Sequence, residues 1–344
     1  MRQLTFIKPG QLEWWDVPSP RITSPLQALV EPLAVASCDL DAPILRGEAP
    51  FRGPFAFGHE VVAEVKEIGE DVHALTPGQR VVVPFQISCG TCHACRRGLT
   101  ANCTSVPAFS CYGLGKGDWG GALSDLMLVP FADHMLVPVP PEISPVMVAS
   151  ASDNLPDAWR TVGPPLEEFP GAPVLILGGA GSGSIGLYAV ALALALGAVR
   201  VDYVDRDAER LALAQKLGAT AIEWRDPLPL RPGTYLITVD AGANPVGLSS
   251  ALRSTAPDGI CTSTGIYFTN ETPLPLRDMY YFGVTFKTGR VHSRPAIPAV
   301  LDLMRTAHLH PELITTEFAN WDEAPEALSN FRTKLIISRS DREK

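Results

Sequence analysis

Four cysteines fall within fifteen residues, in the pattern Cys89-x2-Cys92-x2-Cys95-x7-Cys103. Thiolates crowded onto one loop can close a tetrahedron around a sulfur-preferring d10 ion, so the spacing points to structural zinc with no open coordination position. An iron-sulfur cluster and a nucleic-acid-binding zinc ribbon share parts of this pattern. The first leaves the zinc-type residues described next unexplained, and the second lacks basic residues around the lobe beyond Arg96 and Arg97. His93 lies inside the lobe, but four sulfurs already complete the ligand set, so it reads as a solvated side chain. The remaining cysteines, Cys38, Cys111 and Cys261, are scattered.

A second group is more dispersed. Gly58-His59-Glu60 heads an apolar run, Cys38 lies upstream in Ala36-Ser37-Cys38-Asp39-Leu40-Asp41, and Asp153 lies downstream in Ser150-Ala151-Ser152-Asp153-Asn154. A Cys, His, Asp trio with Glu60 nearby supplies three ligands and leaves a fourth position to water or substrate, which is what a catalytic zinc requires. Each member also has an ordinary reading: Cys38 as a small core residue, His59 as a buried histidine, Asp153 as a helix cap before a turn at Pro156. Spacing alone does not choose between these readings.

The third group is a glycine turn. The apolar strand Val174 to Leu177 runs into Gly178-Gly179-Ala180-Gly181-Ser182-Gly183-Ser184-Ile185-Gly186, which holds G-x-G-x-x-G from Gly181 to Gly186 and opens a helix. Glycines there let the backbone approach a pyrophosphate, whose charge meets the free amides of the helix N-terminus; Gly181, Gly183, Ser184, Ile185 and Gly186 are the candidate contacts. The next strand ends in Asp205, placed to accept both ribose hydroxyls and so to favour NAD, while neighbouring Arg206 would partly offset repulsion of a 2'-phosphate.

Two kinds of scaffold must hold these groups. From about residue 26 to 137 short β-rich runs (Ala28 to Val30, Val61 to Ile68, Arg80 to Val83, Met127 to Val129) alternate with Pro and Gly and read as an irregular β domain. From Ala172 to about Arg290 strands alternate with helices: strand 174–177, helix 185–196, strand 199–204, helix 208–217, then strands 235–239 and 259–263. That rhythm predicts a doubly wound parallel sheet. A helix over 297–307 and a strand over 335–338 follow. At 344 residues two domains each bury enough apolar surface to fold. The net charge of −9 argues against nucleic acid or an anionic membrane as partner and favours a small-molecule ligand. The first ten residues lack the apolar run of a secretory signal, and the most apolar stretch, 185–199, is too short to span a bilayer, so a cytoplasmic protein is expected, with its thiols reduced.

In this order, the pieces resemble the zinc-containing medium-chain dehydrogenase/reductase family over nearly the whole chain. Val83-Pro84-Phe85, Val129-Pro130-Phe131-Ala132-Asp133 and Ser152-Asp153-Asn154-Leu155-Pro156 are most similar to the branch containing glutathione-independent formaldehyde dehydrogenase. The resemblance implies a GroES-like β-barrel domain over 1–155, completed by 291–344, around a Rossmann NAD-binding domain over 156–290, with a catalytic cleft between them. It implies an alcohol dehydrogenase with two zinc ions per chain and NAD, forming a homodimer or homotetramer. Cys38, His59 and Asp153 match the catalytic zinc ligands, Glu60 the acid behind the metal that exchanges with water, and Asp41 the acid that orients the metal-bound histidine. Arg210 matches a residue along the adenosine; Gly265 and Ile266, with Gly289 and Arg290, match loops touching the nicotinamide half. Leu40 departs from the family, standing where Ser or Thr usually relays the alcohol proton, and no relay histidine follows. That departure keeps alternatives in view: an aldehyde dismutase or polyol dehydrogenase on the same scaffold, or a non-catalytic nucleotide-binding member. Trp119 and Phe109 are candidates for either core or substrate lining.

Overall fold

Near-continuous buried residues on Ala28–Ala36, and on the first half of Glu60–Ile68, drive these two nine-residue strands together as an antiparallel pair. They form the centre of a seven-stranded sheet ordered Glu317–Asn320, Leu335–Ser338, Ala28–Ala36, Glu60–Ile68, Arg80–Val83, Val137–Pro138, with Met127–Val129 also on Ala28–Ala36. A separate three-stranded sheet orders Gln11–Asp16, Arg2–Lys8 and Phe55–Ala56. Its apolar face, with Leu4, Phe6 and Phe55, joins Val61, Val81, Val83 and Ile337 in one core.

The computed structural model describes residues 1–225, 228, 233–306 and 308–339. The chain divides into two compact units. One comprises Met1–Pro156 and two later segments beginning at His292 and Thr315. The other comprises Asp157–Val291 and His308–Ile314.

In the second unit six parallel strands lie in the order Thr220–Glu223, Val201–Asp205, Val174–Leu177, Tyr235–Asp240, Thr255–Ser263, Thr285–Lys287. Every residue of Val174–Leu177 is buried, as expected of a strand covered on both faces. Strand order reverses on either side of Val174–Leu177, and ligands of doubly wound sheets bind beyond the carboxyl ends of strands at such a reversal. The glycine turn occupies that position.

Boundaries shift where local chemistry overrides periodicity. The strand expected from Val199 begins at Val201, because Val199 stands 78% exposed in the preceding turn. The helix expected over 297–307 starts earlier and is Ser293–Arg305; Ala307 lies outside the described residues. In place of a turn at Pro156 there is a fifteen-residue helix, Asn154–Glu168, which takes Pro156 in its first turn, where a missing N–H costs nothing.

Candidate functional site

Strand register brings the dispersed trio together. Ala36 pairs with Glu60 and also with Ile336, so the residues just beyond, Cys38 and Lys334, come to lie beside His59 and Glu60. Gly58 turns the chain into the strand with φ +89°, a left-handed conformation that suits glycine, and a Cβ there would press on Leu123 at 3.2 Å. Ser152 then ties the third segment on: its hydroxyl accepts from the Val61 amide at 2.8 Å and donates to the Val61 carbonyl at 2.9 Å.

The result is a buried cluster in the first unit. Cys38 Sγ lies 3.3 Å from Asp153 Oδ2, and His59 Nε2 lies 3.3 Å from the same oxygen. One ligand atom from each of the three falls within 4.8 Å of the others. His59 Nε2 reaches ion-pair distance of Asp153 without hydrogen-bond alignment, and neither ring nitrogen has a hydrogen-bond partner among the described residues. A buried imidazole left in this way is what a ligand to a cation looks like before the cation is counted. The donor set, one sulfur, one imidazole and one carboxylate, suits zinc.

Electrostatics agree. Burial pushes the Cys38 thiol well above its usual range, and the Asp153 and Glu60 carboxylates push it further. Burial also raises Asp41. Burial would lower His59, but Asp153 and Asp41 outweigh it and raise it. A cation among these groups reverses the penalty on each anion. Asp41 Oδ2 accepts from the Cys38 amide at 2.8 Å, and its other oxygen stands 3.9 Å from His59 Nδ1, on the side of the ring away from the trio.

Glu60 is not part of this convergence. Its Oε2 accepts from Lys334 Nζ at 2.9 Å and its Oε1 from the Asn154 amide at 3.1 Å. Burial pushes its carboxyl up to about 8, against the pull of Lys334. Lys334, fully buried, also donates to the Ser37 carbonyl and, at 2.7 Å, to Asn154 Oδ1. Lys334 was marked by no motif, its available signal being a lone lysine abutting the buried strand Leu335–Ser338, and Asn154 stood in the quoted segment 152–156 without a role. Leu40 packs against the same core, and its amide donates to Cys38 Sγ at 3.4 Å. Trp119 is partly buried against that core, whereas Phe109 is exposed with φ +69°.

The four-cysteine lobe also converges, with one sulfur from each of Cys89, Cys92, Cys95 and Cys103 within 4.8 Å of the others. Backbone amides and hydroxyls point at the sulfurs: Cys92 N at 3.3 Å and Ser105 Oγ at 3.1 Å donate to Cys89, and Cys95 N at 3.5 Å donates to Cys92. Thr104 and Cys95 amides hold the Cys92 thiol down at about 5, while burial lifts Cys95 to about 12. His93 is exposed and outside the cluster.

In the second unit the close approach falls on other glycines than the motif suggests. A Cβ at Gly178 would sit 2.2 Å from the Tyr203 hydroxyl, and one at Gly186 would sit 3.2 Å from its ring. Gly178, directly after the strand, is thus the tight-turn glycine, and the segment to Gly186 carries three residues more than G-x-G-x-x-G. Gly183 (φ +79°) precedes the helix Ser184–Ala195, and a Cβ there would meet Arg210 Cδ at 2.7 Å. Gly181 is exposed at the tip.

Asp205 ends its strand as expected, but its carboxylate is turned inward and 1% exposed. It accepts from Arg210 Nε and Nη2 at 2.8 Å each, Tyr203 Oη at 2.6 Å, and the amides of Arg206 and Asp207 at 2.7 and 3.0 Å. Burial would raise it, yet the Arg210 fork wins and holds it below the usual range. Arg206 is exposed, its guanidinium 4.9 Å from the Trp224 ring centre. Gly265 and Ile266 lie on a loop fixed by buried Asp240, which accepts from Ser263 Oγ at 2.7 Å and Tyr267 Oη at 2.8 Å. Gly289 and Arg290 are exposed after the last strand.

Comparison with known proteins settles the family. The alcohol dehydrogenase GroES-like domain model matches residues 24–141, and the zinc-binding dehydrogenase model matches residues 184–306. The solved structure of alcohol dehydrogenase TADH from Thermus sp. ATN1 is 31% identical, covers 98% of this chain and 99% of its own, and superposes with a TM-score of 0.89. The chain belongs to the zinc alcohol dehydrogenases of the medium-chain family. A probable zinc-binding alcohol dehydrogenase of Mycobacterium tuberculosis is 28% identical over 97% of this chain and 86% of its own length. Glutathione-independent formaldehyde dehydrogenase of Pseudomonas aeruginosa is 32% identical over 67% of this chain and 60% of its own. As a family member the chain is a zinc-dependent oxidoreductase of alcohols. Its fold class is the one expected, a GroES-like domain with a Rossmann-type parallel sheet. Among the described residues no helix is long and apolar enough to cross a membrane.

Proposed function

We propose that the chain passes a hydride between an alcohol, or an aldehyde hydrate, and NAD, at a zinc ion held by Cys38, His59 and Asp153. The observation that carries this reading is the buried convergence of those three side chains, with neither His59 nitrogen hydrogen-bonded among the described residues. Zinc bound there supplies a Lewis acid that makes an alcohol oxygen more acidic. The chain's own residues do the rest. Asp41 lies where it sets the His59 ring, Lys334 keeps Glu60 ionisable in a dry interior, and Leu40 keeps that wall apolar. Because Leu40 carries no hydroxyl, the alcohol proton leaves through water.

For the cofactor, the turn from Gly178 to Gly183 and the amides opening Ser184–Ala195 suit a pyrophosphate. Adenosine recognition rests on the Arg206 and Arg210 guanidiniums together with Asp205, whose oxygens are already supplied with donors. The loop carrying Gly265 and Ile266, with Gly289 and Arg290, serves the nicotinamide half. A second, structural zinc belongs to the four-cysteine lobe, whose closed ligand set offers no reactive position. Domain limits follow the two compact units, with a resemblance to the glutathione-independent formaldehyde dehydrogenase branch and a small aldehyde or alcohol as substrate.

The functional form is a homodimer built on the second unit. Thr285–Lys287 is an edge strand with open backbone groups, and the preceding helix Leu276–Phe282 buries none of its residues, leaving Tyr280 84% and Tyr281 70% exposed. Metal analysis with NADH formation tests the main reading. Two zinc ions per chain, falling to one in Cys38→Ser with turnover lost, is the expected result. Retention of full turnover by Cys38→Ser would overturn it.

A further inference from the structure

Asn154 follows the proposed metal ligand Asp153 and opens a buried helix. It is fully buried and does two things at once with its amide. Oδ1 accepts from Lys334 Nζ at 2.7 Å, and Nδ2 donates to Cys38 Sγ at 3.4 Å. The orientation is chemically forced, since an ammonium has donors only and the amide oxygen must therefore face Lys334. The NH2 group is then turned to the sulfur. Lys334 is itself held by the Ser37 carbonyl and Glu60, so the amide cannot flip without breaking a buried charge-assisted bond.

We propose that Asn154 is a positioning residue for the metal centre, its amide fixed by Lys334 so that Nδ2 donates a hydrogen bond to the Cys38 thiolate and draws electron density off that sulfur. The inference rests on Cys38 being a metal ligand. Density withdrawn from the sulfur is donated less to the metal, which leaves the metal a stronger Lewis acid. The lobe uses backbone amides for the same end, on Cys89 and Cys92. At Cys38 a side chain performs that task alongside the Leu40 amide, and a side chain can be substituted.

The test is the sulfur-to-cobalt charge-transfer band of protein reconstituted with Co(II), read for the wild type, Asn154→Ala and Asn154→Asp. Cys38→Ser supplies the baseline of the four-cysteine lobe, which adds the same band to every sample. Asn154→Asp keeps an acceptor for Lys334 but has no donor for the sulfur; Asn154→Ala loses both contacts without adding charge. The expected result is a shift of the Cys38 band to longer wavelength in both variants. A purely structural role would lower the melting temperature and leave the band in place. Wild-type band positions in both variants would overturn the inference while leaving Cys38 a ligand. A wild-type spectrum identical to that of Cys38→Ser would remove the ligand itself, and the proposal with it.

Discussion

The molecule holds two sulfur-containing clusters that solve different problems. The lobe takes all four sulfurs from one stretch of fifteen residues, and its supporting donors are backbone amides within that stretch and the hydroxyl of Ser105 two residues beyond it. The trio draws one residue each from three segments, with two carboxylates, a lysine and an amide packed around it from the first strand of the pair to the last strand of the sheet. A closed ligand set built locally can order a loop and nothing more. On the reading proposed above, three ligands gathered over long sequence separations would leave a coordination position free, with a buried polar frame to keep them in place. Openness and dispersal go together here: reactivity is obtained by giving up local self-sufficiency.

Substitutions can break that contrast. Cys38→Ser should lower turnover by at least about 10³-fold, the several kcal/mol a Lewis acid contributes, with little change in melting temperature. Steady-state kinetics beside calorimetry would check it, and a large fall in stability with turnover intact would invert the roles assigned to the two clusters. Next in size, Lys334→Met leaves Glu60 buried without its partner and should cost about 3–5 kcal/mol in denaturant unfolding. Adding Glu60→Gln should recover most of that loss; if it does not, the frame around the trio is not held by this pair. Cys103→Ala should lower Tm by roughly 5 °C while turnover per folded molecule stays within about 2-fold, since only loop order is lost. The smallest effect lies outside both clusters, at Asp205, whose partner Arg210 is only five residues away. Its folded carboxyl lies below the unfolded value of 3.8, so the pair contributes stability above that pH and loses it as pH falls through the folded value. Arg210→Met should therefore cost about 2 kcal/mol at neutral pH and progressively less in acid, by pH-dependent urea titration.

The same contrast explains what could be read from the residues alone. The lobe, the alternating strands and helices of the second unit, and the glycine turn are written in neighbouring residues, and spacing exposes them. Cys38, His59 and Asp153 carried no spacing signal and gained meaning from family order. Lys334 and Asn154 stayed hidden because their importance arises from strand register, which pairs Ala36 with Ile336 across three hundred residues. The helix Asn154–Glu168 was obscured by Pro156, Pro164 and Pro165, ordinarily helix breakers. Gly178 was passed over for a cleaner motif three residues on, although the space above it belongs to Tyr203 from another strand. Asp205 was placed correctly on its strand, but nothing local foretold that Tyr203 and Arg210 would already occupy its oxygens.

Lys334 arrives late. A ribosome reading this message makes Cys38, His59, Glu60 and Asp153 long before Lys334, so a nascent chain carries these acids and the thiol before the ammonium that meets Glu60 exists. Interrupted synthesis just short of Lys334 would release a polypeptide with all of its proposed ligands and without the lysine that holds Glu60 and Asn154 beside them.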